Sequence, residues 1–160
     1  MRNGMRNFLI LTVGMILSVN ISALELSASI GTWERSDQDG NLVERIVNSS
    51  ISELVLASNI EYFLEGKKTR GATGAFALIG GEMSATLYFG QGTVAYFTQI
   101  SQNENSVTYK IKMSNGKESQ TMWTRMLMIE QNGEQKMQQT IWDSAELNHV
   151  LSEDEFIKIL

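Results

Sequence analysis

Between residues 72 and 142 the apolar and polar positions alternate in short runs separated by glycine or asparagine. In "SVTYKIKM", Val107, Tyr109, Ile111 and Met113 alternate with Thr108, Lys110 and Lys112. A period of two with lysines on one side predicts a half-buried strand, apolar side inward and cationic side in water. "GAFALIGGEMSATLYFG" carries Phe76 and Leu78, a Gly80-Gly81 turn, then Met83, Ala85 and Leu87 in alternation. That is a hairpin by period and by turn chemistry. "TVAYFTQI" follows, with Val94, Tyr96, Thr98 and Ile100 sharing one face. Asn115-Gly116 and Asn132-Gly133 mark two further hairpins around the long run "ESQTMWTRMLMIE". Connections this short force antiparallel neighbours, and a sheet of this many twisted strands removes its edges by closing. The expected fold is therefore all-β, an antiparallel up-and-down barrel.

The flanks are less regular. "LVERIV" at 42–47, "SELVLAS" at 52–58 and "IEYFLEG" at 60–66 fit strands of the same sheet. Leu42 and Ile46 are also an i, i+4 apolar pair, which leaves a short helix open there. At the other end, Ser144 and Ser152 have the character of N-caps. Ser152 and Glu155 have capping-box spacing. A C-terminal helix is expected, docking Phe156, Ile157 and Leu160 on the barrel wall.

Residues 1–23, "MRNGMRNFLILTVGMILSVNISA", open with Arg2 and Arg6, continue through an apolar run from Phe8 to Val19 and end in small residues. This is the pattern of a secretory signal peptide. The run is too short for a comfortable membrane span. Cleavage is expected after Ala23, with a second candidate site after Ala28. The chain has no cysteine, hence no lipid-attachment cysteine, no disulfide and no thiol nucleophile. One domain over residues 24–160 is expected, soluble and periplasmic or secreted, with no stable membrane anchor once the leader is removed. The 13 basic residues less Arg2 and Arg6 leave 11 against 18 acidic ones, a net of −7. An acidic domain repels nucleic acid and anionic lipid, and Lys67-Lys68-Thr69-Arg70 reads as a solvated loop. Proline is absent, in keeping with uninterrupted strands.

Three features together carry a family resemblance: "GTW" (Gly31-Thr32-Trp33) opening the first strand, the glycine-rich middle hairpin, and "WTR" (Trp123-Thr124-Arg125) in a late strand. They resemble the bacterial lipocalin-like branch of the calycin superfamily, over most of residues 29–143. The Thr-Asp-Tyr signature of true lipocalins does not occur in the chain. The resemblance implies that Trp33 plugs one end of the barrel and that Arg125 packs across its ring to close the floor. It also implies a helix after the last strands.

No pattern for a reaction occurs. His149 is the one histidine, with Glu146 and Glu153 at helical spacing, as in any solvated helix. There is no nucleophile elbow, phosphate-cradling loop or zinc-protease motif. "DQDGN" at 37–41 resembles the start of a calcium loop, but position 12 counted from Asp37 is Asn48, so a plain loop is expected. Met122, Met126 and Met128 share one strand parity, with Met113 across the hairpin. Thioethers hold monovalent copper, yet no His or Cys accompanies them, and an adaptable apolar lining is the better reading. No enzyme activity, cofactor or metal is expected. Phe76, Met83, Leu87, Tyr96, Tyr109 and Met113 are the residues expected to point inward. If the interior is open, they would hold a small hydrophobic or amphipathic molecule. If it is filled, the barrel would serve as a protein-interaction or inhibitor scaffold.

Overall fold

The computed structural model of the protein describes residues 26–159. Ten strands follow in order: β1 (Gly31–Ser36), β2 (Leu42–Ser52), β3 (Val55–Leu64), β4 (Lys67–Ile79), β5 (Glu82–Phe89), β6 (Thr93–Gln102), β7 (Ser106–Ser114), β8 (Ser119–Gln131), β9 (Glu134–Trp142) and β10 (Val150–Ile159). Each pairs antiparallel with its sequence neighbours, and β10 returns to β1, closing an up-and-down barrel. The leader expected over residues 1–23 lies outside the described residues.

The tightest turns use the backbone chemistry that two-residue hairpins demand. Gly80 and Gly81 have φ of 62° and 87°, and Asn132 and Gly133 have 55° and 80°. Both central residues are then left-handed, as a turn matched to strand twist requires. Asn115-Gly116 sits in a longer loop, where Asn115 Oδ1 accepts from the amides of Lys117 and Glu118 at 3.0 and 2.9 Å. The 37–41 loop is organised likewise. Asp37 Oδ1 accepts from the amides of Asp39 and Asn41 at 3.0 and 2.8 Å. These bonds hold the Asp37 carboxyl below its ordinary range, the one from the Asn41 amide most.

Segment 42–66 forms strands β2 and β3, one of the two readings open for it, with turns at 53–54 and 65–66. The expectation for the C-terminus is corrected. The C-terminal helix is absent: Val150–Ile159 is β10, hydrogen-bonded to β9 on one side and β1 on the other. Ser152 and Glu155 therefore cap nothing. Glu155 instead faces Lys136 at 2.9 Å and Gln138 at 3.3 Å across the β9 pairing. A closed sheet needs a last strand to satisfy the free edge of β1, and that demand overrides a local capping pattern. Gly71 and Gly74 are strand residues of β4. A Cβ on Gly74 would overlap the carbonyl oxygen of Thr86, so β4 and β5 approach there as only glycine allows.

The inner face builds one large apolar cluster around Leu56, Ile60, Leu78, Leu87, Tyr109 and Ile111, and a smaller one of Trp33, Met137 and Phe156. Antiparallel connectivity puts the β2–β3, β4–β5, β6–β7 and β8–β9 turns at one end, with the start of β1. That end is the floor here, and the other five connections form the rim.

Candidate functional site

The floor is assembled from the first described residues. Leu26–Ser29 form a helical turn, and Leu26 is buried in the main core cluster. The Ser29 carbonyl accepts from Trp33 Nε1 at 2.9 Å and from Asn48 Nδ2 at 3.0 Å. Trp33 is fully buried, as its sequence context predicts. The cation over it is different from the one expected: Lys158 Nζ stands 5.4 Å from the Trp33 ring centroid. Arg125 is exposed and lies over Trp142, at 5.4 Å. Strand parity is the cause. Thr124 and Met126 point inward on β8, so Arg125 must point out. Gly31, with φ 125°, lies against the Lys158 stem. A Cβ there would stand 2.8 Å from Lys158 Cε.

Above this floor the barrel encloses a cavity of about 800 Å³. Phe76, Met83, Leu87, Tyr109 and Met113 line it, as the alternation predicts. Phe76 and Tyr109 form an aromatic cluster with Phe97, ring centroids 6.0 to 6.5 Å apart and tilted or edge-on. Tyr96 does not belong to this set. It is half exposed on the outer wall, because Ala95 and Phe97 take the inward positions of β6. On β7, Lys110 and Lys112 are exposed and Val107, Tyr109 and Ile111 buried, as expected. Thr108 is buried although it was expected in water. Its cross-strand partners Ser101 and Arg125 flank it on the same face.

The rim side of the cavity is charged, and the alternation of the sequence does not point to its residues. Arg35 Nη2 meets Glu44 Oε2 at 3.0 Å, and Arg35 Nη1 meets Asp154 Oδ1 at 3.1 Å. Tyr62 stands opposite Glu44 across the β2–β3 pairing. Arg70 lies over the Tyr62 ring at 4.8 Å and makes no ion pair among the described residues. Glu44, Tyr62, Arg70 and Asp154 all line the cavity. Burial holds the Glu44 carboxyl above its ordinary range, against the pull of Arg35. Burial, then the neighbouring Glu44 charge, pushes the Tyr62 hydroxyl up to about 12. Deeper down, Asn48 and Ser58 face each other across β2 and β3, and both line the cavity. Asn48 Oδ1 and Ser58 Oγ are buried without a hydrogen-bond partner among the described residues.

The sequence signal for the rim was masked. In "LVERIVN" the inward set is Glu44, Ile46 and Asn48, and the outward set includes Val43, Arg45 and Val47. Both faces mix polar and apolar residues, so alternation does not say which is inside.

No protein-family model matches the chain, and no curated protein matches it in sequence. The site therefore rests on its own geometry. His149, the one histidine, lies apart from the cavity in the β9–β10 connection, with Nδ1 2.7 Å from Asp143 Oδ2. It has no helix around it, contrary to the spacing argument.

Proposed function

We propose that this chain is an exported, non-enzymatic binding protein, periplasmic or secreted, that holds one small amphipathic molecule inside its barrel. The observation that carries this reading is the open interior. A cavity of about 800 Å³ lies in the range of small-molecule sites, roughly 300–1,000 Å³. A scaffold working through its loops would need no such space. The lining is mostly Leu, Ile, Phe and Met, with Asn48 and Ser58 among them, and Glu44, Tyr62, Arg70 and Asp154 gather towards the rim. An occupant with an apolar body and a polar end suits that arrangement. The outer wall favours water over lipid, since Lys110 and Lys112 are exposed, as are Glu153 and Glu155. A membrane barrel carries an apolar band outside instead. The leader pattern of residues 1–23 supports export.

Kinship with lipocalin-like barrels is part of the proposal. It is supported by the closed up-and-down sheet and by Trp33 at the barrel floor. Arg125 gives it no support, because it lies on the opposite side of the wall from that ring.

The test is direct titration of the mature protein with N-phenyl-1-naphthylamine, which fluoresces in apolar surroundings. Uptake of one molecule per chain is expected, with loss of uptake in Met126→Trp, which fills the cavity. Native mass spectrometry of the protein taken from its exporting cell should show an added small-molecule mass. Absence of both signals sinks the reading.

A further inference from the structure

Every methionine among the described residues lines the cavity: Met83, Met113, Met122, Met126, Met128 and Met137. None faces the outer wall. The chain has no cysteine, so these thioethers are the only sulfur atoms among the described residues. Met113, Met122, Met126 and Met128 point inward yet are only half-buried. An inward side chain can be exposed only to the cavity, so what reaches the cavity reaches their sulfur. Met83 and Met137 are nearly closed off, at 4% and 6% exposure. In the middle of this wall stands Thr124, on the same face of β8 as Met122 and Met126. It is fully buried, and its Oγ1 has no hydrogen-bond partner among the described residues.

Resting on the binding function proposed above, we infer that this methionine wall is a site of reversible oxidation, and that oxidation empties the barrel of apolar ligand. The oxidant is a small hydroperoxide. A methionine sulfur lone pair attacks one peroxide oxygen, an S–O bond forms and the O–O bond breaks. The departing oxygen takes up a proton and leaves as water or alcohol. Sulfur loses two electrons to become sulfoxide, and the peroxide is reduced by the same two. The product is polar where the thioether was apolar. Its oxygen needs a donor, and the surrounding Ile, Leu and Phe side chains have none. Water then enters with it and an apolar occupant leaves. On the inward face of β8 the Thr124 hydroxyl is the exception, a buried donor to which a sulfoxide on Met122 or Met126 supplies an acceptor. The wall is thus built to tolerate its own oxidation.

The experiment exposes the folded mature protein to hydrogen peroxide, maps each methionine by peptide mass and titrates N-phenyl-1-naphthylamine before and after. Met113, Met122, Met126 and Met128 should gain oxygen before Met83 and Met137, with the barrel still folded by circular dichroism. Probe affinity should fall at least ten-fold and return after treatment with methionine sulfoxide reductases and a dithiol. The quadruple variant with leucine at positions 113, 122, 126 and 128 should bind the probe and be indifferent to peroxide. Thr124→Val should leave the reduced barrel as stable as before and lower the melting temperature of the oxidised one. Two results overturn the inference: methionines that stay reduced until the chain unfolds, or oxidised protein that binds the probe unchanged. Failure of the reduced protein to take up probe overturns the ligand reading itself, and with it the emptying step. The mass map still decides whether the wall is a modification site.

Discussion

Replacing Trp33 by alanine removes the side chain on which the barrel floor is organised. The ring is fully buried, packs with Met137 and Phe156 and carries Lys158 above it. A tryptophan buries about 150–250 Å², which at about 25 cal/mol per Å² is roughly 4–6 kcal/mol. Measured truncations of buried aromatics run about 3–5 kcal/mol, because the cavity left behind partly collapses. The lost indole hydrogen bond adds little, since the Ser29 carbonyl keeps its second donor, Asn48 Nδ2. The expected loss is therefore about 3–5 kcal/mol, a large share of the roughly 5–15 kcal/mol a domain has. Urea unfolding followed by circular dichroism measures it. Trp33→Phe keeps a ring and should lose only about 1–2 kcal/mol, mostly the part of the buried area that the smaller ring gives up. Lys158→Met keeps the aliphatic stem and should lose less than about 1 kcal/mol, the worth of a partly exposed cation–π contact. A Trp33→Ala loss under about 1.5 kcal/mol, with m unchanged, would refute the claim that this ring holds the floor.

Tyr109→Asp should unfold the barrel or weaken it by several kcal/mol, while Lys110→Asp shifts stability by about 0.5 kcal/mol or less, both by urea titration. The pair isolates strand parity, because the two positions differ by one residue and by the side of the wall. Glu44→Gln should change the pH dependence of stability in a definite sense. The folded-state carboxyl of Glu44 is raised above its ordinary 4.5, so the folded chain binds that proton more tightly than the unfolded one. Its contribution then falls as pH rises from 4.5 through the raised value. The wild type should gain on Glu44→Gln as pH is lowered towards 4.5. Contributions of Glu61 and Glu155, whose carboxyls are lowered, run the other way and cancel in the comparison.

Sequence pattern resolves this fold where one face is plainly wet. In β7, Lys110 and Lys112 can only face water, so Val107, Tyr109 and Ile111 are placed without ambiguity. The alternation misplaces Tyr96 for the complementary reason. "TVAYFTQI" offers Val94, Tyr96 and Ile100 on one side and Ala95 and Phe97 on the other. Both sides are apolar enough to be core, and pairing with β5 and β7 settles which one is. Met122, Met126 and Met128 were legible as one lining face, since three thioethers at i, i+4 and i+6 have the same parity. The rim was not legible. An inward Glu44 is tolerable because Arg35 arrives from β1 to pair with it, and Arg35 is itself shared with Asp154 of β10, more than a hundred residues away, which no local pattern announces.

The last strand shows why the ends of this chain are the hardest part to read. β10 must finish the floor, supply the rim and close the sheet at once. Phe156 goes to the Trp33 cluster, Lys158 to the Trp33 ring and Asp154 to Arg35. Its inward positions are thus acidic, aromatic and cationic in turn, while Ile157 and Ile159 face out, partly exposed. A sequence serving three layers has no single hydrophobic face, and its period of two is hidden. The seam it makes with β1 is short, running from Thr32 opposite Ile159 to Glu34 opposite Ile157. The Arg35–Asp154 ion pair and the Lys158–Trp33 contact both cross that seam, one towards the rim and one at the floor. Opening the seam therefore removes a rim charge and a floor residue together. Under the proposed binding function, the same few contacts that close the barrel would retain the occupant, and local opening of this seam would couple to its release.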